Sequence, residues 1–165
     1  MSIKLLQVVL VSLLGAMLGS KFAYAAYNPD QVKAVYLYRI VNFIYWKDEE
    51  QMTHINICLP DNQKVYVLMS EIIKGKVVRG KPIYLSNQDC DVVYLTQKSS
   101  MALLQTYPKN TVTVGDVMRF TDYGGALELV TKAGRIKPKI NLSNIGTYRI
   151  SSNLLRVSDV EGELK

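Results

Sequence analysis

The sequence predicts a three-layer α/β/α sandwich around a mostly parallel central sheet, with an antiparallel hairpin at one edge. Three observations predict it. Short apolar runs end abruptly at turn residues, as strands buried on both faces do. Helical stretches alternate with these runs through the middle of the chain, the order of β-α-β units. Late in the chain, two strand-like segments are joined through Lys132-Ala133-Gly134, a hairpin connection.

The first residues form an export signal. Lys4 supplies a positive start, residues 5–18 form an apolar run, and Ala23-Tyr24-Ala25 ends in a small-x-small triplet. The run has about 14 residues, whereas a spanning helix needs roughly 17–25. Cleavage is expected between Ala25 and Ala26, and no Cys at the cut offers a lipid anchor. Residues 26–165 then form one exported domain, large enough to bury a real core.

Asn28-Pro29-Asp30 reads as a helix start with Asp30 as cap. Val32, Val35, Tyr36, Ile40, Phe43 and Ile44 recur at helical spacing, so the helix is expected to run to the polar turn Asp48-Glu49-Glu50. Ile55-Asn56-Ile57-Cys58-Leu59 is a buried strand stopped by Pro60-Asp61-Asn62. Residues 65–73 read as a helix ending at Gly75, and residues 76–85 as β structure interrupted by Gly80-Lys81-Pro82. Val92-Val93-Tyr94-Leu95 is the next buried strand. Ser99-Ser100 can cap a helix that Pro108 stops, and Thr111-Val112-Thr113-Val114 is a strand ended by Gly115-Asp116. A helical turn is expected over 116–120, and a loop at Asp122-Tyr123-Gly124-Gly125. Strands follow over 126–131 and 135–140. The tail over 142–157 reads as two helical pieces hinged at Ser151-Ser152, with frayed residues after Asp159.

Charge and motif content exclude most chemistries. The formal net charge of +6 is scattered, and Lys4 and Lys21 leave with the signal. Nucleic-acid binding would need a concentrated basic face with stacking aromatics, so no nucleic acid is expected. The single histidine, His54, stands at the head of a strand without a triad. No cluster has zinc spacing, no C-x-x-C motif occurs, and no glycine-rich loop lies between strand and helix. Asp116 and Asp122 could in principle make a carboxylate pair, but helix capping is the commoner role for Asp116. Gly124-Gly125 is read as a turn before a strand rather than a close approach to a ligand. Asn141-Leu142-Ser143 matches a glycosylation sequon, though a helix start explains its Ser equally well. No catalytic residues, metal ligands or cofactor are therefore expected, and the chain is not read as an enzyme.

Cys58 and Cys90 are 32 positions apart. In an oxidising compartment an even pair favours a disulfide, and the alternative is two buried free thiols. Closing such a loop would contribute roughly 3–4 kcal/mol in the chain-entropy account.

The order of these segments resembles the YfiR-like family of bacterial periplasmic proteins. The resemblance is carried by Val32-Lys33-Ala34-Val35-Tyr36-Leu37-Tyr38 with Phe43-Ile44-Tyr45-Trp46. It continues in Ile57-Cys58-Leu59, then Gly80-Lys81-Pro82-Ile83 before Cys90-Asp91-Val92-Val93-Tyr94-Leu95. Next come Thr111-Val112-Thr113-Val114-Gly115-Asp116 and Gly124-Gly125-Ala126-Leu127. The last pieces are Arg135-Ile136-Lys137-Pro138-Lys139-Ile140-Asn141 and Ile150-Ser151-Ser152-Asn153-Leu154-Leu155. Three points depart from the family pattern. Lys47 stands where proline commonly follows the tryptophan, an alanine common in the last helix is missing near Asn144, and there is no later second cysteine pair.

The resemblance implies a three-layer α/β domain without catalytic activity, with a disulfide at the positions of Cys58 and Cys90. It implies a regulator that holds a membrane-bound diguanylate cyclase inactive through its periplasmic part, lowering cyclic-di-GMP and biofilm formation. An outer-membrane-linked partner would relieve the block, and a homodimer is a further candidate arrangement. The candidate partner surface is Arg149, Leu154, Leu155 and Arg156, although ordinary core packing is the commoner role of each leucine. The alternative function is a periplasmic small-ligand sensor feeding a kinase or cyclase. Its site would be the crevice at the carboxyl ends of the parallel strands, lined by Pro60, Asp61, Gly115 and Asp116.

Overall fold

The computed structural model describes residues 28–164. The predicted signal and its cleavage site at Ala25-Ala26 lie outside them. The first helix, α1 (Pro29–Asn42), is capped by Asn28 rather than Asp30. The Asn28 Oδ1 accepts from the N–H groups of Asp30 and Gln31 at 3.1 and 3.4 Å. Pro29 takes the first helical position, where an N–H would have no partner anyway. The helix also ends sooner than its periodicity suggested. Phe43 (φ −103°, ψ 1°) turns the chain, and Ile44–Trp46 leaves as strand β1 with an in-out-in burial pattern.

The middle of the chain follows the expected alternation. Strand β2 (Ile55–Cys58) leads to helix α2 (Gln63–Ile72), whose cap Asn62 accepts from the Val65 N–H at 3.0 Å. The short β3 (Val77–Val78) and β4 (Lys81–Ser86) follow, then β5 (Val92–Leu95). The helix expected near Ser99-Ser100 is a 3₁₀ helix, Lys98–Gln105. Strand β6 (Val112–Gly115) precedes β7 (Leu127–Lys132) and β8 (Arg135–Asn141). The β7–β8 hairpin turns at Ala133 and Gly134 with φ of 47° and 73°, the paired positive angles of a two-residue turn that matches strand twist.

The tail departs from expectation. A 3₁₀ turn (Leu142–Asn144) is followed by β9 (Tyr148–Ile150), the five-residue helix α3 (Ser152–Arg156) and β10 (Asp159–Glu161). The first expected helical piece is thus a short 3₁₀ turn followed by a strand, and the residues expected to fray begin as a paired strand. Strand β9 pairs antiparallel with β1 as a separate two-stranded sheet, and β10 pairs parallel with β8. Both strands are set by partners distant in sequence, which local periodicity does not register.

Among the described residues the main sheet has eight strands in the order β10-β8-β7-β6-β5-β2-β4-β3. It is parallel except at β7–β8 and β3–β4. Its two faces separate by strand alternation. Ile55, Ile57, Val92, Tyr94, Val112, Val114, Leu127, Leu129 and Ile140 face the larger core, with α1, α2, Trp46, Tyr148 and Leu154. Cys58, Val93 and Leu95 face the other way, into a smaller core closed by Leu104 and Phe120. The second covering layer is thus the 3₁₀ segment and the loop after β6.

Candidate functional site

Four residues were expected to line a crevice at the carboxyl ends of the strands: Pro60, Asp61, Gly115 and Asp116. The structure places them after β2 and at the end of β6, but their polar groups are engaged within the chain. The Asp61 carboxylate accepts from the Thr96 N–H at 3.0 and 3.1 Å, the Thr96 hydroxyl at 3.1 Å and the Gln97 N–H at 2.9 Å. It anchors the loop that follows β5. Asp116 pairs with Lys33 of α1 at 2.5 Å. Asp116 therefore ties a helix to the sheet rather than capping the next turn, and it forms no carboxylate pair with Asp122. Asp122 has its own cations, Arg119 at 2.7 Å and Lys139 at 3.6 Å.

Gly115 is covered by an aromatic ring. A Cβ built on it would come within 2.4 Å of Phe120, and one on Gly125 within 2.0 Å of the same ring. The close approach to Gly125 is thus to the protein's own phenyl group. Gly124, with φ of 101°, supplies the turn expected before the strand. Beside Asp116 lies Tyr94, wholly buried, whose hydroxyl has no hydrogen-bond partner among the described residues. Burial first, and then the Asp116 carboxylate, pushes its phenol far above its ordinary range, so it stays neutral.

Cys58 ends β2 and Cys90 precedes β5. A disulfide joins them with Cα atoms 5.7 Å apart, and none of the described cysteines is free. The bond ties two neighbouring parallel strands at the smaller core. Next to it, the Asn56 N–H donates to the Asp91 carboxylate at 2.7 Å. Burial nevertheless raises the Asp91 carboxyl above its ordinary value.

A different face offers an open concavity. A groove of about 600 Å³ runs between α1 and α3, with Tyr36, Tyr38, Phe43, Pro138, Leu154 and Val157 among its lining residues. Arg39, Asn42 and Asn153 add polar groups at its wall. Tyr36 fixes α1 over β8 by donating from its hydroxyl to the Ile136 carbonyl at 2.9 Å. Of the candidate partner residues, Leu154 is buried in the main core and forms part of this groove. Leu155 is partly buried against the same core. Arg149, on β9, and Arg156, at the end of α3, are exposed. The two leucines therefore pack as core residues, and the arginines present charge to solvent. The groove's aromatic residues were not singled out from the sequence as a site. Their only local signal was the tyrosine content of the first helix, which reads equally as core.

Among the described residues, no three of His, Cys, Asp and Glu converge as a metal site. No helix among them is long and apolar enough to cross a membrane. The site defined by this fold is a mainly apolar groove with Arg39 at its wall, on a different face from a strand-end crevice filled by the chain itself. Such an arrangement belongs to a binding domain more than to a catalytic one. The sequence matches the YfiR/HmsC-like family over residues 30–159, and the chain belongs to that family. The match spans α1 to the first residue of β10. The family is generally regulatory and non-catalytic. A search of curated proteins finds no match.

Proposed function

We propose that the chain is a periplasmic, non-catalytic regulator in cyclic-di-GMP signalling. It binds the periplasmic part of a membrane-bound signalling protein, a diguanylate cyclase, and represses it. An outer-membrane-linked partner relieves the repression. The family match over residues 30–159 carries this reading. The groove between α1 and α3 supports it, because a partner side chain inserted between Tyr36, Phe43 and Leu154 would be desolvated among aromatic anchors. Repression then follows from binding one state of the cyclase better than the other.

The test is genetic and biochemical. Deletion in the native host raises cyclic-di-GMP and biofilm mass, and the tagged protein recovers a membrane cyclase. Val157→Asp changes a groove residue that is 61% exposed, so the fold should tolerate it while complementation is lost. Unchanged cyclic-di-GMP on deletion, with no membrane signalling protein recovered, would overturn the proposal.

A small-ligand sensor is the second reading. The groove's volume favours it, since small-molecule sites span roughly 300–1,000 Å³. The crevice at Asp61 and Asp116 supports it less, because both carboxylates are already paired. A thermal-shift screen against periplasmic metabolites separates the two readings.

A further inference from the structure

Strand β10 is a three-residue edge strand at the acidic end of the chain, and it lies on a basic neighbour. Arg135, Lys137 and Lys139 alternate along β8 with the buried Ile136, Pro138 and Ile140. Asp159 and Glu161 stand two positions apart along β10, either side of the exposed Val160. Asp159 pairs with Lys137, and Glu161 with Lys139 at 3.1 Å. Glu161 also accepts from the Thr121 hydroxyl at 2.9 Å. The middle residue, Val160, is 44% exposed, so no apolar side chain fastens the strand to the core. Surface ion pairs of this kind hold weakly and are screened by salt.

The backbone edge beneath β10 is short for a covalent reason. The Asn141 N–H donates to Ala126 of the loop before β7, so residues 141, 139 and 137 turn their backbone groups towards β7. Residues 140 and 138 then face the outer edge. Residue 138 is proline and has no N–H to offer. The outer ladder therefore stops at Pro138, and pairing is confined to the register Asp159↔Lys139, Val160↔Ile140 and Glu161↔Asn141. A bare edge is a template for strand addition, and here it carries a fixed charge preference.

We infer that the outer edge of β8 is a strand-addition site for a partner's extended segment with acidic residues two positions apart. Strand β10 is its displaceable intramolecular occupant. The charge pattern of β10 identifies the chemistry of the incoming segment, since Lys137 and Lys139 select for carboxylates at alternate positions. The inference goes beyond the regulatory reading and does not depend on which protein is regulated. It can therefore fail while that reading stands.

The test uses the full chain. A fluorescent peptide reproducing residues 158–164 is titrated against the wild type and against D159K/E161K, whose own β10 is repelled from β8. The variant binds the peptide at least tenfold more tightly than the wild type, and 0.5 M salt removes the difference. A peptide with lysine at both acidic positions does not bind. In hydrogen exchange, the Ile140 N–H loses protection in the variant and regains it with peptide, while the Val93 N–H stays protected throughout. Should D159K/E161K fail to fold, D159N/E161Q carries the same comparison. Equal peptide binding by wild type and variant overturns the inference, as does an Ile140 N–H that exchanges no faster in the folded variant than in the wild type.

Discussion

Removing the Arg79 side chain tests how the turn between β3 and β4 holds the end of α1. Arg79 sits in that turn with φ of 48°, a conformation that costs a non-glycine residue roughly 1–2 kcal/mol. Its guanidinium donates to the Ile44 carbonyl at 2.6 Å and the Asn42 carbonyl at 3.2 Å, and to both Glu49 oxygens at 2.5 and 3.1 Å. It also lies 4.7 Å from the Tyr45 ring centroid. The partly buried bond to Ile44 is charge-assisted and contributes about 1.5 kcal/mol. The partly exposed pair with Glu49, discounted for solvent, contributes about 0.5–1 kcal/mol, and the ring contact about 0.5 kcal/mol. Arg79→Ala is therefore expected to cost about 3 kcal/mol, a fall in Tm of about 10 °C for a domain of this size. Arg79→Gly loses the same contacts but relieves the backbone, so it should be about 1 kcal/mol more stable than the alanine variant. Urea denaturation with matched thermal melts measures both. An alanine variant within 2 °C of wild type, or a glycine variant no better than alanine, would refute the reasoning.

Cys58→Ala/Cys90→Ala opens a loop with a sequence separation of 32 and should lower stability by about 4 kcal/mol, read from urea denaturation with the m-value fitted for each protein. Gly146→Ala places a Cβ 1.6 Å from the Lys109 carbonyl oxygen, a backbone atom that cannot rotate away, and should cost more than about 2 kcal/mol in the same assay. The acid limb of stability should become shallower in Asp159→Asn. Lys137 holds the Asp159 carboxyl below its unfolded value near 3.8, so its contribution is present above that value and lost as pH falls through the lower, folded one. Asp91 acts with the opposite sign. Its raised carboxyl means that its protonated form suits the fold, so Asp91→Asn should gain relative stability as pH rises through and above 3.8. Denaturation curves across pH 2–7 follow both variants, and an unchanged acid limb in Asp159→Asn would sink that assignment.

Local chemistry made the centre of the fold legible. The runs at Ile55, Val92 and Val112 are strands because they are short, β-branched and closed by turn residues. Their burial on both faces follows from having cores on both sides. The end of α1 was not legible, since Phe43 and Ile44 continue a helical spacing while Ile44–Trp46 also fits a two-residue period. What decides between them is the pairing Ile44↔Ile150, across more than 100 positions. The tail failed for the same reason, because β9 and β10 are three residues each and owe their form to distant strands. At the candidate site, Leu154 and Leu155 could be recognised as apolar, but not the groove. It forms only where Tyr36, Pro138 and Val157 meet from three separated segments. The spent carboxylates of Asp61 and Asp116 were equally invisible, since Thr96 and Lys33 become their partners only through the fold.

The ring of Phe120 gives the molecule a direction of traffic. An open α/β sheet usually keeps a vacant berth near the carboxyl ends of its strands, and passing solutes dock there. Here the berth beside Gly115 is moored from within, by a phenyl group wedged between two glycines and fully buried. On that flank the space a ligand would need is already taken by the protein's own side chain. Whatever news it carries has to arrive and depart elsewhere, by the groove against α1 or along the outer edge of β8.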